Sequence, residues 1–250
     1  MRVTILGAGT AIPQHWHSPA GIYVQVAGEH LLLDAGPGTL QRLAAAGAPW
    51  ARLHRIFLSH FHLDHCLDLA SILFALRIPD MKRRAPLTVY GPPGLRRLYR
   101  DLNTAFHGWL TPRGFRLVLR EVWQDELRLP GYRVSVRPVR HVATPAVGYR
   151  LTAAGKSLAY SGDTDVCPSL LDLGRIADLL ILECSTPDAR KVAGHLTPGD
   201  CGRLAAAASC RRLVLTHFYP VFAGVDIRAA VRRHFRGPLT LARDFLRLTV

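Results

Sequence analysis

The sequence predicts an α/β protein arranged as a four-layer αββα sandwich, two β-sheets packed face to face with helices on both outer surfaces. Three observations predict it. Short strands run as a meander and then alternate with helices, and this order occurs twice along the chain. Some strands are apolar at consecutive positions, as in Leu31-Leu32-Leu33, which marks burial on both faces. A chain of 250 residues, 49% of them hydrophobic, is long enough to cover two such sheets within one domain, expected over residues 1–250.

The elements follow in order. Strands are expected at 2–6, 21–26 and 30–34, broken by glycines and by the turn Asp34-Ala35-Gly36-Pro37-Gly38. A helix over 39–46 takes Thr39 as its N-cap and stops at Gly47. A buried strand at 55–59 leads into a helix over 66–77, whose apolar residues recur at 66, 69, 70, 73, 74 and 76. A strand at 87–90 and an arginine-studded helix over 93–106 complete the first half. The second half opens with strands at 115–122, 126–129 and 132–139, then a hairpin of 148–152 and 157–161. Helices at 168–173, 197–208 and 227–235 alternate with strands at 179–183, 212–216 and 240–242.

A formal charge of +14 suggests a polyanionic partner, but all except Lys82, Lys156 and Lys191 of the 32 basic residues are arginines scattered along the chain. The densest stretch holds Arg77, Lys82, Arg83, Arg84, Arg96, Arg97 and Arg100. It is read as a solvated helix face and loop in preference to a nucleic-acid surface. Five cysteines without a C-x-x-C pair point to reduced thiols and away from thiolate-held zinc. With no signal-peptide pattern and no apolar run of membrane length, the expected location is the cytoplasm.

The sharpest signal is His60-Phe61-His62-Leu63-Asp64-His65, at the end of a strand and the entrance of a helix. Imidazoles two apart on an extended loop converge on one cation, while an aspartate and a histidine at the helix entrance turn toward a second. Nitrogen and carboxylate donors without thiolate suit Zn²⁺, with Mn²⁺ or Fe²⁺ as alternatives. His141, Asp163 and His217 each follow the end of a later strand. Strand ends face a common cleft, so His60, His62 and His141 are assigned to one ion and Asp64, His65 and His217 to the other, with Asp163 bridging.

These residues resemble the metallo-β-lactamase superfamily, and within it the ribonuclease Z-like branch. The resemblance covers nearly the whole chain, from Leu6-Gly7-Ala8-Gly9-Thr10 and Leu32-Leu33-Asp34-Ala35-Gly36, through the histidine signature, Gly148-Tyr149-Arg150-Leu151 and Tyr160-Ser161-Gly162-Asp163-Thr164, to Thr216-His217-Phe218-Tyr219. Glu183-Cys184-Ser185-Thr186 and Gly194-His195-Leu196-Thr197-Pro198 are the more branch-specific motifs. It implies the metallo-β-lactamase αββα fold, two zinc ions held by the ligands above, and hydrolysis by a hydroxide bridging them. Asp64 is then both ligand and orienter of the nucleophile. Asp34 holds a ligand histidine by hydrogen bonding, or else only shapes its glycine-rich turn. His195 contacts the phosphate or protonates the leaving oxygen while Glu183 polarises it, the alternative being that His195 caps the helix near Thr197.

The implied substrate is a phosphodiester or other anionic small molecule. The tRNA-processing enzymes of this branch carry a long basic arm between the third histidine and the bridging aspartate, and here those positions, His141 and Asp163, are 22 apart. The arm is therefore expected to be missing, leaving RNA as a secondary candidate. The competing activity is that of a lactonase or β-lactamase-like hydrolase on the same two metals. The resemblance also implies a homodimer, and no membrane partner is expected. Trp16 is expected either to border the cleft or to pack, and Tyr219 either to line the pocket or to form a dimer contact.

Overall fold

The computed structural model describes residues 1–222 and 224–250. One sheet contains β1 (Arg2–Gly7), β2 (Gly21–Val26), β3 (Glu29–Leu33), β4 (Arg55–Phe57), β5 (Leu87–Gly91) and β6 (Leu117–Glu121). The other contains β7 (Glu126–Leu129), β8 (Tyr132–Pro138), β9 (Val147–Ala153), β10 (Lys156–Tyr160), β11 (Leu179–Glu183), β12 (Leu213–Thr216) and β13 (Leu239–Leu241). A strand absent from the sequence reading, β14 (Arg247–Thr249), pairs antiparallel with β1 and closes the first sheet at seven strands, in the order β14-β1-β2-β3-β4-β5-β6. The second runs β13-β12-β11-β10-β9-β8-β7.

Each sheet changes character half-way. β1, β2 and β3 pair antiparallel and β3 to β6 parallel; β7 to β10 pair antiparallel and β10 to β13 parallel. Three apolar clusters separate four layers, as the αββα reading requires. Between the sheets lie Ile5, Leu31, Leu33 and Phe57 with Val134, Tyr149, Leu158 and Ile181. Outside the first sheet, α1 (Thr39–Ala45), α3 (Asp68–Leu76) and α4 (Leu95–Ala105) cover Leu32, Ile56 and Leu58. Outside the second, α5 (Pro168–Gly174), α6 (Pro198–Ala207) and α7 (Ile227–Arg232) cover Leu180, Leu182 and Leu215. Leu179 and Ile181 of β11 thus face the partner sheet while Leu180 and Leu182 face helices, which is why the strand is apolar throughout. Each such side chain contributes about 1.5–3 kcal/mol by burial.

Two local expectations are corrected. The helix foreseen over 66–77 begins earlier and is divided into α2 (Leu63–Cys66) and α3. Ala35 causes the division: its N–H donates to the His65 carbonyl at 2.7 Å, and its own carbonyl accepts from the Asp68 N–H at 2.9 Å, taking both groups from the helical ladder. Thr39 is the first residue of α1, not its cap. Gly38 caps it at φ 84°, and the Leu40 N–H finds its acceptor in Asp68 Oδ2 at 2.6 Å. Among the described residues no helix is long and apolar enough to cross a membrane.

Candidate metal centre

The site lies where strands end. Asp34 follows β3, His60 follows β4, His141 follows β8, Asp163 follows β10, Glu183 ends β11, and His217 follows β12. His60, His62, Asp64 and His65 thus come from the first sheet, and His141, Asp163 and His217 from the second. Asp34 and His217 adopt left-handed backbone at φ 57° and 62°, a conformation that costs an ordinary side chain about 1–3 kcal/mol and that packed surroundings must sustain.

The seven predicted residues come together in two groups. His60, His62, His141 and Asp163 offer donor atoms all within 4.8 Å of one another, and so do Asp64, His65 and His217. Asp163 stands between the groups, with Oδ1 3.4 Å from His65 Nε2 and Oδ2 3.5 Å from His217 Nε2 and 3.9 Å from His60 Nε2.

Hydrogen bonds on the far side of four of the five rings fix which nitrogen faces inward. His65 Nδ1 donates to Asp34 Oδ2 at 2.8 Å, His141 Nδ1 to the Gly194 carbonyl at 2.8 Å, and His217 Nδ1 to Ser185 Oγ at 3.0 Å. Ser59 Oγ donates to Asp34 Oδ2 at 2.8 Å and so accepts from His60 Nδ1 at 3.0 Å. The inward Nε2 atoms therefore carry lone pairs. Those of His65 and His217 face each other at 3.1 Å beside Asp64 Oδ2, at 3.7 and 3.4 Å. His60 Nε2 and Asp163 Oδ1 are closed to solvent without a hydrogen-bond partner. Acceptors converging without donors call for cations, and donor type and number fit two divalent ions with imidazole and carboxylate ligands.

The electrostatics mark a place for positive charge: burial disfavours protonation of His65, but Asp163 and Asp34 outweigh it and raise His65 well above the usual histidine range. Burial, reinforced by the neighbouring imidazoles, holds His60 well below the usual histidine range, and burial likewise lowers His141, so both present neutral rings. For Asp163 burial favours the neutral acid, but the facing imidazoles of His217, His65 and His60 outweigh it and hold the carboxyl well below its ordinary value. Asp64 is lowered in the same way by His217 and His65, against the effect of burial.

Beside the second group, His195 Nδ1 donates to Glu183 Oε1 at 2.9 Å, and its ring lies 4.9 Å from that of His141 and 6.0 Å from that of His217. Burial disfavours its protonation, yet the hydrogen bond and charge of Glu183 prevail and raise it above the usual histidine range. Helix α6 is capped by Thr197, whose Oγ1 accepts from the Asp200 N–H, so His195 is free of that duty. Ser185 Oγ donates to Glu183 Oε2 at 2.6 Å, linking the His217 and His195 supports.

Asp34 Oδ2 also accepts from Tyr160 OH at 2.6 Å, and Oδ1 from the Ser59 N–H at 2.7 Å, so it does more than shape a turn. Ser59, Tyr160, Ser185 and Gly194 were missed in the sequence. Ser59 and Gly194 directly flank a residue that was found, Ser185 lies two positions from Glu183 and Tyr160 three from Asp163, and that nearness was the available signal. Tyr219 lies at the site, its ring 5.7 Å from His217, and with Trp16, Phe218 and Phe222 lines a neighbouring cavity of about 310 Å³. Of the basic stretch, Arg83 is buried, donating to the carbonyls of Ala51, Leu53 and Pro86, and Arg77 lies over Trp109. Arg84, Arg96, Arg97 and Arg100 are exposed.

Comparison with known proteins decides the family. The Beta-lactamase superfamily domain model matches residues 29–218, well over half of the chain. The chain belongs to the β-lactamase superfamily. Within it, the chain is 30% identical to the Ribonuclease Z of Mycobacterium marinum, over 100% of this chain and 99% of that one. Among solved structures, the short form of human tRNase Z matches with a TM-score of 0.83 and 26% identity, covering 100% of this chain and 99% of the other. The metallo-β-lactamase fold protein YhfI from Bacillus subtilis shares the fold at the same TM-score, with 24% identity over 99% and 98% of the two chains. The superfamily fold is thus present in full, and its strand-end cleft is where the histidines and aspartates gather.

Proposed function

We propose that this chain is a zinc-dependent phosphodiesterase of the ribonuclease Z-like type. The observation that carries the reading is the Glu183–His195 pair set against the two candidate ligand groups, with His195 Nδ1 3.9 Å from Asp163 Oδ2. His60, His62, His141 and Asp163 would hold one ion, and Asp64, His65, His217 and Asp163 the other. When bound, two divalent ions supply a hydroxide near neutral pH and offset the charge of the phosphoryl oxygens.

The remaining work falls to the chain. Asp64, buried beside His65 and His217, orients the attacking water through its carboxylate. His195, kept protonated by Glu183, gives its outward Nε2 proton to the leaving oxygen, a contribution of about 10²- to 10⁴-fold in rate. Asp34 holds His65 in the tautomer whose Nε2 faces the site. Such a proton donor suits an alkoxide leaving from phosphorus, and nothing in the site favours the lactonase or β-lactamase-like alternative.

The preferred substrates are small or exposed diesters. The stretch between His141 and Asp163 is taken up by the β9–β10 hairpin, so we assign pre-tRNA a lesser place. Five buried free thiols suit a reducing compartment, in keeping with a cytoplasmic protein. A homodimer completes the proposal, to be checked by sedimentation. The test is turnover of bis(p-nitrophenyl) phosphate, a dinucleotide, a lactone, a cephalosporin and pre-tRNA by the zinc-loaded protein. Diester hydrolysis is expected to dominate. Faster lactone or cephalosporin turnover would overturn the activity, and robust trimming of pre-tRNA would overturn the substrate preference.

A further inference from the structure

His195 stands on the segment 188–196, which crosses the surface between β11 and α6 with residues 188–193 exposed. A short turn at Asp188–Arg190 is its only regular element. What anchors it is Lys191. The ammonium has three hydrogens and uses all of them: on Asp165 Oδ1 at 2.7 Å, on Asp200 Oδ2 at 2.7 Å and on the backbone carbonyl of His195 at 2.5 Å.

The two carboxylates belong to different parts of the second half. Asp165 lies just beyond Asp163 at the end of β10. Asp200 sits in the first turn of α6, where it also accepts from the Thr197 N–H and Oγ1 and from Arg203. Asp165 has a second attachment, since its Oδ2 accepts from the Gly194 N–H at 3.1 Å. The carbonyl of that same glycine receives His141 Nδ1. Gly194 has φ 85°, and a Cβ there would lie 2.9 Å from the Val142 nitrogen and 3.3 Å from His141 Nδ1, so the approach is open to glycine alone.

We infer that Lys191 is a positioning residue: by tying Asp165, Asp200 and the His195 carbonyl together, it fixes the His195 imidazole over the reacting phosphate. The inference rests on the reading of His195 as proton donor. Charge-assisted bonds to two separately anchored carboxylates hold the segment far more firmly than its few backbone bonds. Without the clip the imidazole keeps its Glu183 partner but loses the backbone reference that sets its reach. A misplacement of about 1 Å costs on the order of 10²-fold in rate.

The test compares Lys191→Met, Lys191→Arg and His195→Ala on two diesters. One releases p-nitrophenolate, which leaves without protonation, and the other an alkoxide, which does not. Bound metal per chain is measured in parallel. Lys191→Met is expected to lower kcat on the alkoxide substrate by about 10- to 100-fold, with a several-fold change at most on the p-nitrophenyl substrate, KM and metal content held. Lys191→Arg, which keeps the ion pairs, should recover most of the loss. Equal losses on both substrates, no loss on either, or loss of metal would overturn the inference. If His195→Ala itself shows no dependence on leaving group, the proton-donor reading fails, a result visible independently of Lys191. Should Lys191→Met not fold, Asp165→Asn removes one ion pair while keeping an acceptor for Gly194. The same selective loss is expected from it, and an unselective one would overturn the proposal.

Discussion

Asp34 and His65, 31 positions apart in sequence, meet through a 2.8 Å hydrogen bond between side chains that are both fully closed to solvent. The carboxylate accepts four hydrogens in all, from His65, Tyr160 and both the amide and hydroxyl of Ser59. It therefore acts on the candidate ligands His65 and, through Ser59, His60.

Replacing Asp34 with Asn keeps the volume but removes the charge that orients His65. Metal affinity is expected to fall by about 10- to 100-fold, measured by competition with a chromogenic chelator. Asp34→Ala strands several buried donors and is expected to cost about 3–5 kcal/mol of stability in denaturant unfolding. Unchanged metal affinity in Asp34→Asn would show that His65 needs no such support.

Metal removal should be visible as lost stability. A ligand present at about 100 times its dissociation constant contributes about 2.7 kcal/mol, equivalent to roughly 5–10 °C in Tm for a chain of this size. Chelator treatment is expected to lower Tm by that order, and added Zn²⁺ to restore it in a concentration-dependent way.

Glu183→Gln removes the charge that favours the protonated His195 while leaving a hydrogen-bond acceptor. Turnover of an alkoxide-releasing diester should fall by about 10²-fold, with metal content intact by elemental analysis. Retention of full activity would separate Glu183 from the chemistry.

Acid stability is expected to depend on Asp244. Burial favours its neutral form, but the His17 imidazole 3.4 Å away, hydrogen bonds from the Ala8 and Ser18 N–H groups and the charge of Arg42 hold its carboxyl below the usual range. A carboxylate lowered on folding stabilises the native state above its unfolded value of about 4, and that contribution disappears as pH falls through the folded value. Asp244→Asn should flatten the stability loss below about pH 4 and cost about 1–3 kcal/mol at neutral pH. Unfolding at a series of pH values checks both.

The cysteines should be inert in the native protein. All five are buried free thiols, and burial pushes Cys66 and Cys210 up to about 12. A chromogenic disulfide reagent is expected to titrate all five only after unfolding, and rapid labelling under native conditions would contradict this.

Much of the site was legible because its residue types are chemically narrow and sit directly after apolar strands. His60, His141, Asp163 and His217 could be grouped from strand ends alone, since strands running the same way deliver their carboxyl ends to one edge and the two stacked sheets bring those edges together. Long-range hydrogen bonding was not legible. Nothing near Asp34 announces Tyr160, 126 positions away, and Asp244 holds the 8–18 loop across more than 200 positions. The division between α2 and α3 escaped for the same reason, because Ala35 imposes it from another element. β14 was missed because Arg247-Leu248-Thr249 is short and polar at both ends; it exists because β1 offers an open edge.

The donors that gather at the centre are shared between the sheets, four contributed by the first and three by the second, with His217 arriving near the end of the chain. A half-made polypeptide, or one whose sheets have parted, therefore lacks the full set of candidate ligands. Assembly of the candidate centre thus waits on the docking of one sheet against the other.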